Sequence, residues 1–500
     1  MTLTKKVALN ALIQTIGKVL YFGFSLAIIM LITRHLGVSG YGNYNTIIAY
    51  LGIFAVLADL GLYMIMVRDM SQRPKEQEKI VGNVLGLRIF TAIVALILAA
   101  LVSIFLNYPL EVKIGILIFS AGIFFILLSQ TLLGVFQVYL RVDKATIAEV
   151  AGRFLTLILV IWLIKKGAGL LPVITAAAAG FAFNFFLSFI FANQFIKIIP
   201  RFQISLWKKT IIKALPLGIV AILATIYYKI DIVLLSLLPL KKVLIFGISH
   251  FSNSEAVGIY SAAYRVLEII VVFPNLFALL IFPIISKSIK SDPKRTQRVF
   301  QKSFNFLAIF GIFFTIIGFF LASQITDIVG GREFANSKIV LQILSIAFLP
   351  HFVGNLYGIV LTAADKQKVL IMPFFIFTAF NIIGNLILIP YYSFLGAALI
   401  TVVGQFILCS VNYYLIWKHV KLAPSVKILP NILLAGTVVA GFLMLILRAN
   451  FFALDNFYLF PIWQKMFLTT GLIMAVSAVY FMLLYLFGGV TKKDLISLRR

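Results

Sequence analysis

The sequence predicts an all-α integral membrane protein with about fourteen transmembrane helices, and three observations carry that reading. The first is composition: 62% of the 500 residues are hydrophobic and 12% are charged, with a mean hydropathy of +1.08. Soluble domains carry about 45–50% apolar and about 25% charged residues, so the bilayer must solvate most of this chain. The second is the form of the apolar runs, which last about 20 residues or more and do not alternate with period two. In hydrocarbon every backbone N–H and C=O needs an internal partner, so such runs are helices. The third is the placement of charge between the runs, taken up below.

In chain order the runs place spans at about 8–33, 44–66, 80–106, 112–138, 147–164, 172–196 and 214–240. They continue at about 257–285, 303–323, 339–363, 369–390, 396–417, 430–448 and 465–487. The first run follows Lys5 and Lys6 and contains Asn10, Gln14 and Lys18. It is too long for the apolar core of a signal peptide and has no A-x-A site, so it reads as an uncleaved span. Pro216, Pro274 and Pro350 fall inside the seventh, eighth and tenth runs and mark expected kinks or breaks.

Of the 43 Lys and Arg, 28 lie in the alternate segments 1–6, 67–79, 139–149, 197–213, 286–302, 364–368, 418–429 and 488–500. The intervening segments 34–43, 107–111, 165–171, 241–256, 324–338, 391–395 and 449–464 hold 7. Basic loops stay in the cytoplasm, so the first set faces inward, both termini included. An odd number of spans would scramble the alternation. The net charge of +27 therefore reads as topology and attraction to anionic lipid headgroups. No basic domain stands clear of the membrane, which argues against nucleic acid.

The longest connecting segments have about 17 residues, too few for a soluble domain, and no Walker A motif supplies an ATPase. The lone Cys409 excludes an intramolecular disulfide and a cysteine metal site. No metal site, cofactor or catalytic constellation is expected.

An internal repeat is visible. Tyr41-Gly42-Asn43-Tyr44-Asn45 opens the second span and Val257-Gly258-Ile259-Tyr260-Ser261 the eighth. Asp143-Lys144 follows the fourth span and Asp365-Lys366 the tenth. Spans one to six and seven to twelve thus read as parallel copies, dividing the chain into 1–200, 201–425 and an appendix at 426–500. Parallel repeats with a midplane site between them mark secondary transporters.

Charge at membrane depth costs about 2.5–3.5 kcal/mol, so each such residue needs a reason. Lys18, Asp59, Arg88, Arg153, Lys229, Asp231, Arg265, Glu268 and His351 fall inside predicted spans. Cations outnumber carboxylates, which suits an anionic substrate. Asn10, Gln14, Lys18, Tyr21 and Ser25 share one helical face, opposite the apolar Leu12, Ile16, Leu20 and Ile28. That face lines a wet cavity or forms a polar seam between helices. Arg265 and Glu268 are spaced for an ion pair, whereas Lys229 and Asp231 are spaced apart on their helix. Arg88 and Arg153 lie near the cytoplasmic edge, where snorkelling to phosphates is the alternative to a buried role. Asp59, Asp231 and Glu268 are the candidate ion-coupling carboxylates. His351 is read as packed rather than titrating. Gly82-x-x-x-Gly86 and Gly354-x-x-x-Gly358 offer small faces for helix packing.

The segment Arg34-His35-Leu36-Gly37-Val38-Ser39-Gly40-Tyr41-Gly42-Asn43-Tyr44, with Ala58-Asp59-Leu60-Gly61-Leu62 closing the next run, resembles the opening of the polysaccharide and oligosaccharide flippases. These belong to the multidrug/oligosaccharidyl-lipid/polysaccharide exporter superfamily. The span count, the parallel repeat and the two Asp-Lys loops are similar to that pattern over most of the chain. The resemblance implies two six-helix lobes around a cavity that opens to each side in turn. It implies a pyrophosphate-linked lipid oligosaccharide carried from the cytoplasmic to the outer leaflet of the cell membrane for surface polysaccharide synthesis. By position, it implies headgroup-binding roles for Lys18, Arg88, Arg153, Lys229 and Arg265. Membrane lipids, polysaccharide assembly proteins and a proton or sodium ion are the further partners it suggests. Two rivals are a cation-coupled multidrug exporter, which would want an acidic cavity, and a membrane-embedded glycan polymerase or glycosyltransferase, which would want a large outer loop or an acid cluster.

Overall fold

Long runs of Leu, Ile, Val and Phe satisfy their backbone internally, and the computed structural model contains only helices as regular elements among the residues it describes. It describes residues 3–240, 251–448, 457 and 460–489, with side chains from residue 13 onward except at 216, 217, 279, 290, 367 and 448. The tail from 490, which the sequence reading places in the cytoplasm, and most of the segments 241–256 and 449–464, which it places outside, lie outside the described residues. The helices are α1 (Leu3–Asp59), α2 (Leu62–Gln72), α3 (Gln77–Phe105), α4 (Leu110–Val138), α5 (Val142–Lys165), α6 (Leu170–Ala192) and α7 (Ile204–Leu237). They continue as α8 (Asn253–Ser291), α9 (Pro293–Phe320), α10 (Ala322–Gly330), α11 (Ser337–Ser345), α12 (Phe348–Ala363), α13 (Ile371–Val420), α14 (Leu429–Arg448) and α15 (Ile462–Leu486).

Eleven helical stretches among the described residues are long and apolar enough to cross a bilayer. A twelfth joins them when the pair α11 and α12, bent by 44°, is taken as one span. Two of the eleven, Ile13–Gln72 and Lys368–Val420, run for 60 and 53 residues, where about 20 suffice to cross. The long helix within each contains one non-helical residue, Gly37 (φ 67, ψ −174) in α1 and Ser393 (φ 48, ψ −134) in α13. Both lie in segments that the sequence reads as short outer loops, so each loop has contracted to a single non-helical residue. Gly37 takes a positive φ without strain; Ser393 takes one that a side chain disfavours.

The second predicted span is not one piece. Leu60 (φ 45) and Gly61 (φ 73) end α1, and α2 restarts as an amphipathic helix burying Leu62, Ile65, Met66 and Met70. The break expected near Pro350 lies just before it, at residues 346 and 347, because proline lacks the N–H that would bond back to residue 346. Pro274, by contrast, sits inside the continuous helix α8. Asp292 caps α9, its Oδ1 accepting from the Arg295 N–H at 2.9 Å, with Pro293 in the first turn.

The ends of the fourth and tenth predicted spans share one stop. The Arg141 N–H donates to the Phe136 carbonyl at 2.8 Å and the Lys366 N–H to the Leu361 carbonyl at 2.9 Å. In each case the residue before takes a positive φ, Leu140 at 53 and Asp365 at 60. This is a Schellman turn at matching places in the repeat. In the first connector, outside the spans, Arg141 donates to both oxygens of Asp143 at 3.0 and 3.1 Å, which holds its guanidinium above the ordinary range.

The helices pack into two units: residues 1–239 with 251–258, and residues 240–250 with 259–500. The first unit thus includes α7, which the six-helix reading assigns to the second lobe. Within it a β-carbon on Gly42 would overlap the Ser254 carbonyl, and one on Gly258 would overlap the Val38 carbonyl. Gly42 and Gly258 are the repeat-equivalent glycines, and the Ser254 hydroxyl is 2.7 Å from Asn43 Oδ1. Gly82 and Gly86 serve a different purpose from the helix face that the sequence suggests. They admit the backbone of residues 199–201, and the Arg201 N–H donates to the Gly82 carbonyl at 2.8 Å. The Trp207 indole N–H donates to the Asn83 carbonyl at 3.1 Å, so the connector between α6 and α7 is fastened along α3.

In the second unit α14 and α15 dock on α9 through Ile309, Ile312, Phe313, Val439 and Val476, and the Tyr480 hydroxyl donates to the Ile309 carbonyl at 3.0 Å. A β-carbon on Gly354 would reach only ordinary contact with Cys409, and Gly358 faces open space, so of that pair Gly354 alone packs closely.

Candidate functional site

In the first unit α5 and α6 approach so closely that a β-carbon on Gly180 would overlap Thr156 Oγ1, and one on Gly152 would lie 2.6 Å from the Gly180 carbonyl. Below and beside that crossing, α1, α4, α5 and α6 enclose a cavity of about 270 Å³. Helical spacing decides what it presents. Lys18 and Tyr21 project from α1, Glu149 and Arg153 from successive turns of α5, Gln130 and Ser129 from α4, and Phe181, Asn184 and Ser188 from α6. The polar face of the first span thus lines a cavity at Lys18 and Tyr21, while Ile16 and Leu20 lie outside its lining and are 53% and 44% exposed. Asn10 lies outside the described side chains.

Two cations and one carboxylate meet here. Lys18 Nζ stands 2.9 Å from Glu149 Oε2. Arg153 Nη2 donates to the Tyr21 hydroxyl at 2.9 Å, and the guanidinium lies 5.0 Å from the Tyr21 ring centre and 5.1 Å from that of Phe181. A guanidinium held by two aromatic rings is oriented and keeps spare N–H donors, the arrangement that recognises phosphate or carboxylate oxygens. The remaining lining mixes amides and hydroxyls, at Gln130, Asn184, Ser129, Ser188 and Thr156, with the apolar Ile126, Leu133, Phe136 and Ala145.

The other sequence candidates lie elsewhere. Arg88, fully buried on α3, pairs with Asp59 at the end of α1 at 2.5 Å, so a candidate headgroup cation and a candidate coupling carboxylate hold each other. Arg265 and Glu268 form the ion pair that their spacing predicts, at 2.7 Å. Asp231 is buried on α7 and Lys229 is half-buried two residues before it. His351 Nδ1 lies 3.3 Å from Gln405 Oε1, and Asn355 Nδ2 donates to Asn275 Oδ1 at 2.5 Å. No group of three or more His, Cys, Asp or Glu side chains among the described residues is placed to hold a metal ion.

Sequence reasoning missed Glu149, which it left at the edge of a cytoplasmic loop. The available signal was its place four residues before Arg153. It also missed a buried pair in the second unit, Lys465 Nζ to Asp327 Oδ2 at 2.6 Å, which joins α15 to α10. Asp327 falls in a predicted outer loop and gives no local sign of burial.

Comparison with known proteins accords with this architecture. The family model described as polysaccharide biosynthesis protein matches residues 3–289, and the MatE model matches residues 216–387. The capsular polysaccharide biosynthesis protein CapF of Staphylococcus aureus is 28% identical over 174 residues, 35% of this chain and 44% of that protein. Haloferax volcanii has a protein named Probable low-salt glycan biosynthesis flippase Agl15, 31% identical over 157 residues, 31% of this chain and 33% of that protein. The matches therefore span less than half the length of these curated relatives. The solved structure of the lipid II flippase MurJ in an inward closed conformation has the same fold, with a TM-score of 0.73 at 14% identity over 95% of this chain and 99% of that one. With more than half of its length matched by the family model, this multi-pass membrane chain belongs to the polysaccharide biosynthesis protein family of the multidrug/oligosaccharidyl-lipid/polysaccharide exporter superfamily.

Proposed function

We propose that the protein moves a pyrophosphate-linked lipid oligosaccharide from the cytoplasmic to the outer leaflet of the cell membrane by alternating access. The observation that carries this is the cavity of the first unit, where Lys18 and Arg153 outnumber Glu149 among neutral polar and apolar side chains. A pyrophosphate cannot cross hydrocarbon unaided. Arg153 offers it a fork and Lys18 a compact charge, while the sugar meets the amides and the lipid tail stays in the bilayer. The relatives named for capsular polysaccharide and glycan biosynthesis point the same way. Lys229 and Arg265 are proposed as secondary cations of the translocation route.

The MatE match favours a second reading, a cation-coupled multidrug exporter. A cationic drug would need a cavity with surplus negative charge, opposite to the balance seen here. Reconstitution separates the two. Vesicles holding the chain should protect a lipid-linked oligosaccharide from a sugar-cleaving probe, or expose it to one, at a rate well above empty vesicles. They should leave a labelled organic cation undisturbed. Transport of the cation alone would overturn the proposal. For coupling we assign Asp231, a carboxylate buried on the membrane-spanning helix α7. In the same vesicles Asp231→Asn should flip lipid but lose any response to an imposed proton or sodium gradient; an unchanged response sinks that assignment.

Dividing the two long stretches at Gly37 and Ser393, and counting α11 with α12 as one span, supports a reading of fourteen spans; we propose both termini on the cytoplasmic side and two six-helix lobes followed by two more helices. With Cys409 replaced by Ser, single cysteines at Ser39 and Ser393 should react with an impermeant thiol reagent in intact cells. Cysteines at Ser71 and Ser291 should be protected. The reverse pattern would invert the topology.

A further inference from the structure

An anion arriving in the cavity of the first unit finds one of its two cations already taken. Glu149 Oε2 is 2.9 Å from Lys18 Nζ, and Arg153 stands one turn further along the same helix. The pair is not packed away: the Lys18 side chain is 53% exposed and that of Glu149 27%, so both stand in the cavity wall. Ion pairs this open to water contribute little to stability, and a neutral Gln or Asn, as at 130 and 184, would meet the polar needs of the wall as well. What a carboxylate adds is negative charge at the place where a phosphate must bind.

We infer that Glu149 is an internal competitor for the anionic headgroup, occupying Lys18 in the empty cavity and returning to it as the headgroup leaves. This rests on the reading that the cavity takes a phosphate. The charged groups and the one phenol facing Glu149 are Lys18 and Tyr21 on α1 and Arg153 on its own helix; α4 and α6 contribute only neutral side chains to the cavity. A lysine ammonium is a single compact charge, so a phosphate oxygen in contact with it displaces the carboxylate or suffers its repulsion. Arg153, turned away from Glu149 toward Tyr21 and Phe181, stays available throughout. The competitor lowers affinity in proportion to its hold on Lys18. For a carrier that is useful, since a site must bind firmly enough to load and weakly enough to unload.

The sign of the pH dependence follows. An ionised Glu149 competes and a protonated one does not. The test measures binding of geranylgeranyl pyrophosphate to the purified full chain in detergent, at pH 8 and again at a pH low enough to protonate a carboxylate. The probe loses charge at low pH as well, so the informative quantity is the ratio of wild type to variant at each pH. Glu149→Gln should bind about threefold to tenfold more tightly than wild type at pH 8, with the ratio closing toward one in acid. In vesicles the same variant should turn over more slowly, because unloading is slowed. Glu149→Ser supplies the same comparison if Glu149→Gln does not fold. Weakened binding by Lys18→Ala together with equal affinity of Glu149→Gln and wild type at pH 8 would overturn the competitor role and leave the cavity reading intact. A ratio that is the same at both pH values would also overturn it. Unchanged binding in both Lys18→Ala and Arg153→Ala would instead overturn the phosphate reading of the cavity, and the competitor role with it.

Discussion

Arg153→Ala should reduce flipping of a pyrophosphate-linked lipid by about tenfold or more at normal abundance in the membrane, with Arg153→Lys recovering only part of the loss. The guanidinium is held between Tyr21 and Phe181 and anchored by the 2.9 Å hydrogen bond to the Tyr21 hydroxyl. Its free N–H groups are therefore oriented before any ligand arrives, and little rotamer freedom is lost on binding. Lysine restores the charge but neither the fork nor the flat surface that lies on the rings. Because Arg153 is in no ion pair with Glu149, its removal strands no carboxylate, and a transport defect without a fall in unfolding temperature would identify a ligand-binding role. Normal flipping by Arg153→Ala at normal abundance would refute that role. A defect equal to that of a surface charge such as Lys113→Ala would refute it too.

Arg88→Ala should act on stability instead. Arg88 is fully buried and its ion pair with Asp59 is 2.5 Å long. Removing one member of a buried pair costs about 3–5 kcal/mol, largely because the other charge is left without compensation. The unfolding midpoint in detergent should fall by several degrees and the yield of folded protein with it. Arg88→Met combined with Asp59→Leu should recover most of the loss, since neither charge then needs a partner. A double variant less stable than Arg88→Ala would show that Asp59 has another function besides holding Arg88. Joint recovery of stability and of flipping would remove both residues from the transport machinery, leaving the cavity cations to carry it.

The two cases show what could and could not be read in advance. Both arginines sit in predicted spans and look alike locally, each a single cation among apolar neighbours near the cytoplasmic edge. One lines a cavity and the other closes a buried pair because different helices lie beside them. Glu149 was legible only as a loop-edge acid, since its partner Lys18 is 131 residues away. The glycines repeat this lesson: Gly82 and Gly86 have the spacing of a helix-packing face, yet what they receive is the non-helical connector at residues 199–201. The Arg265 and Glu268 pair was predicted correctly because both partners lie on one turn of one helix.

The sequence by itself determined the solvent of the fold, the helical nature of its spans, and the membership suggested by the segment from Arg34 to Tyr44. These follow from composition, local periodicity and motif, which are properties of neighbouring residues. Only the tertiary structure decided that the loops at Gly37 and Ser393 shrink to single residues and that Lys18, Glu149, Arg153 and Phe181 share one cavity while Arg88 and Asp59 hold each other. The physical reason is range. Helical spacing says which way a side chain points from its own axis, but the charge, hydrogen bond or void it meets belongs to helices that packing brings alongside.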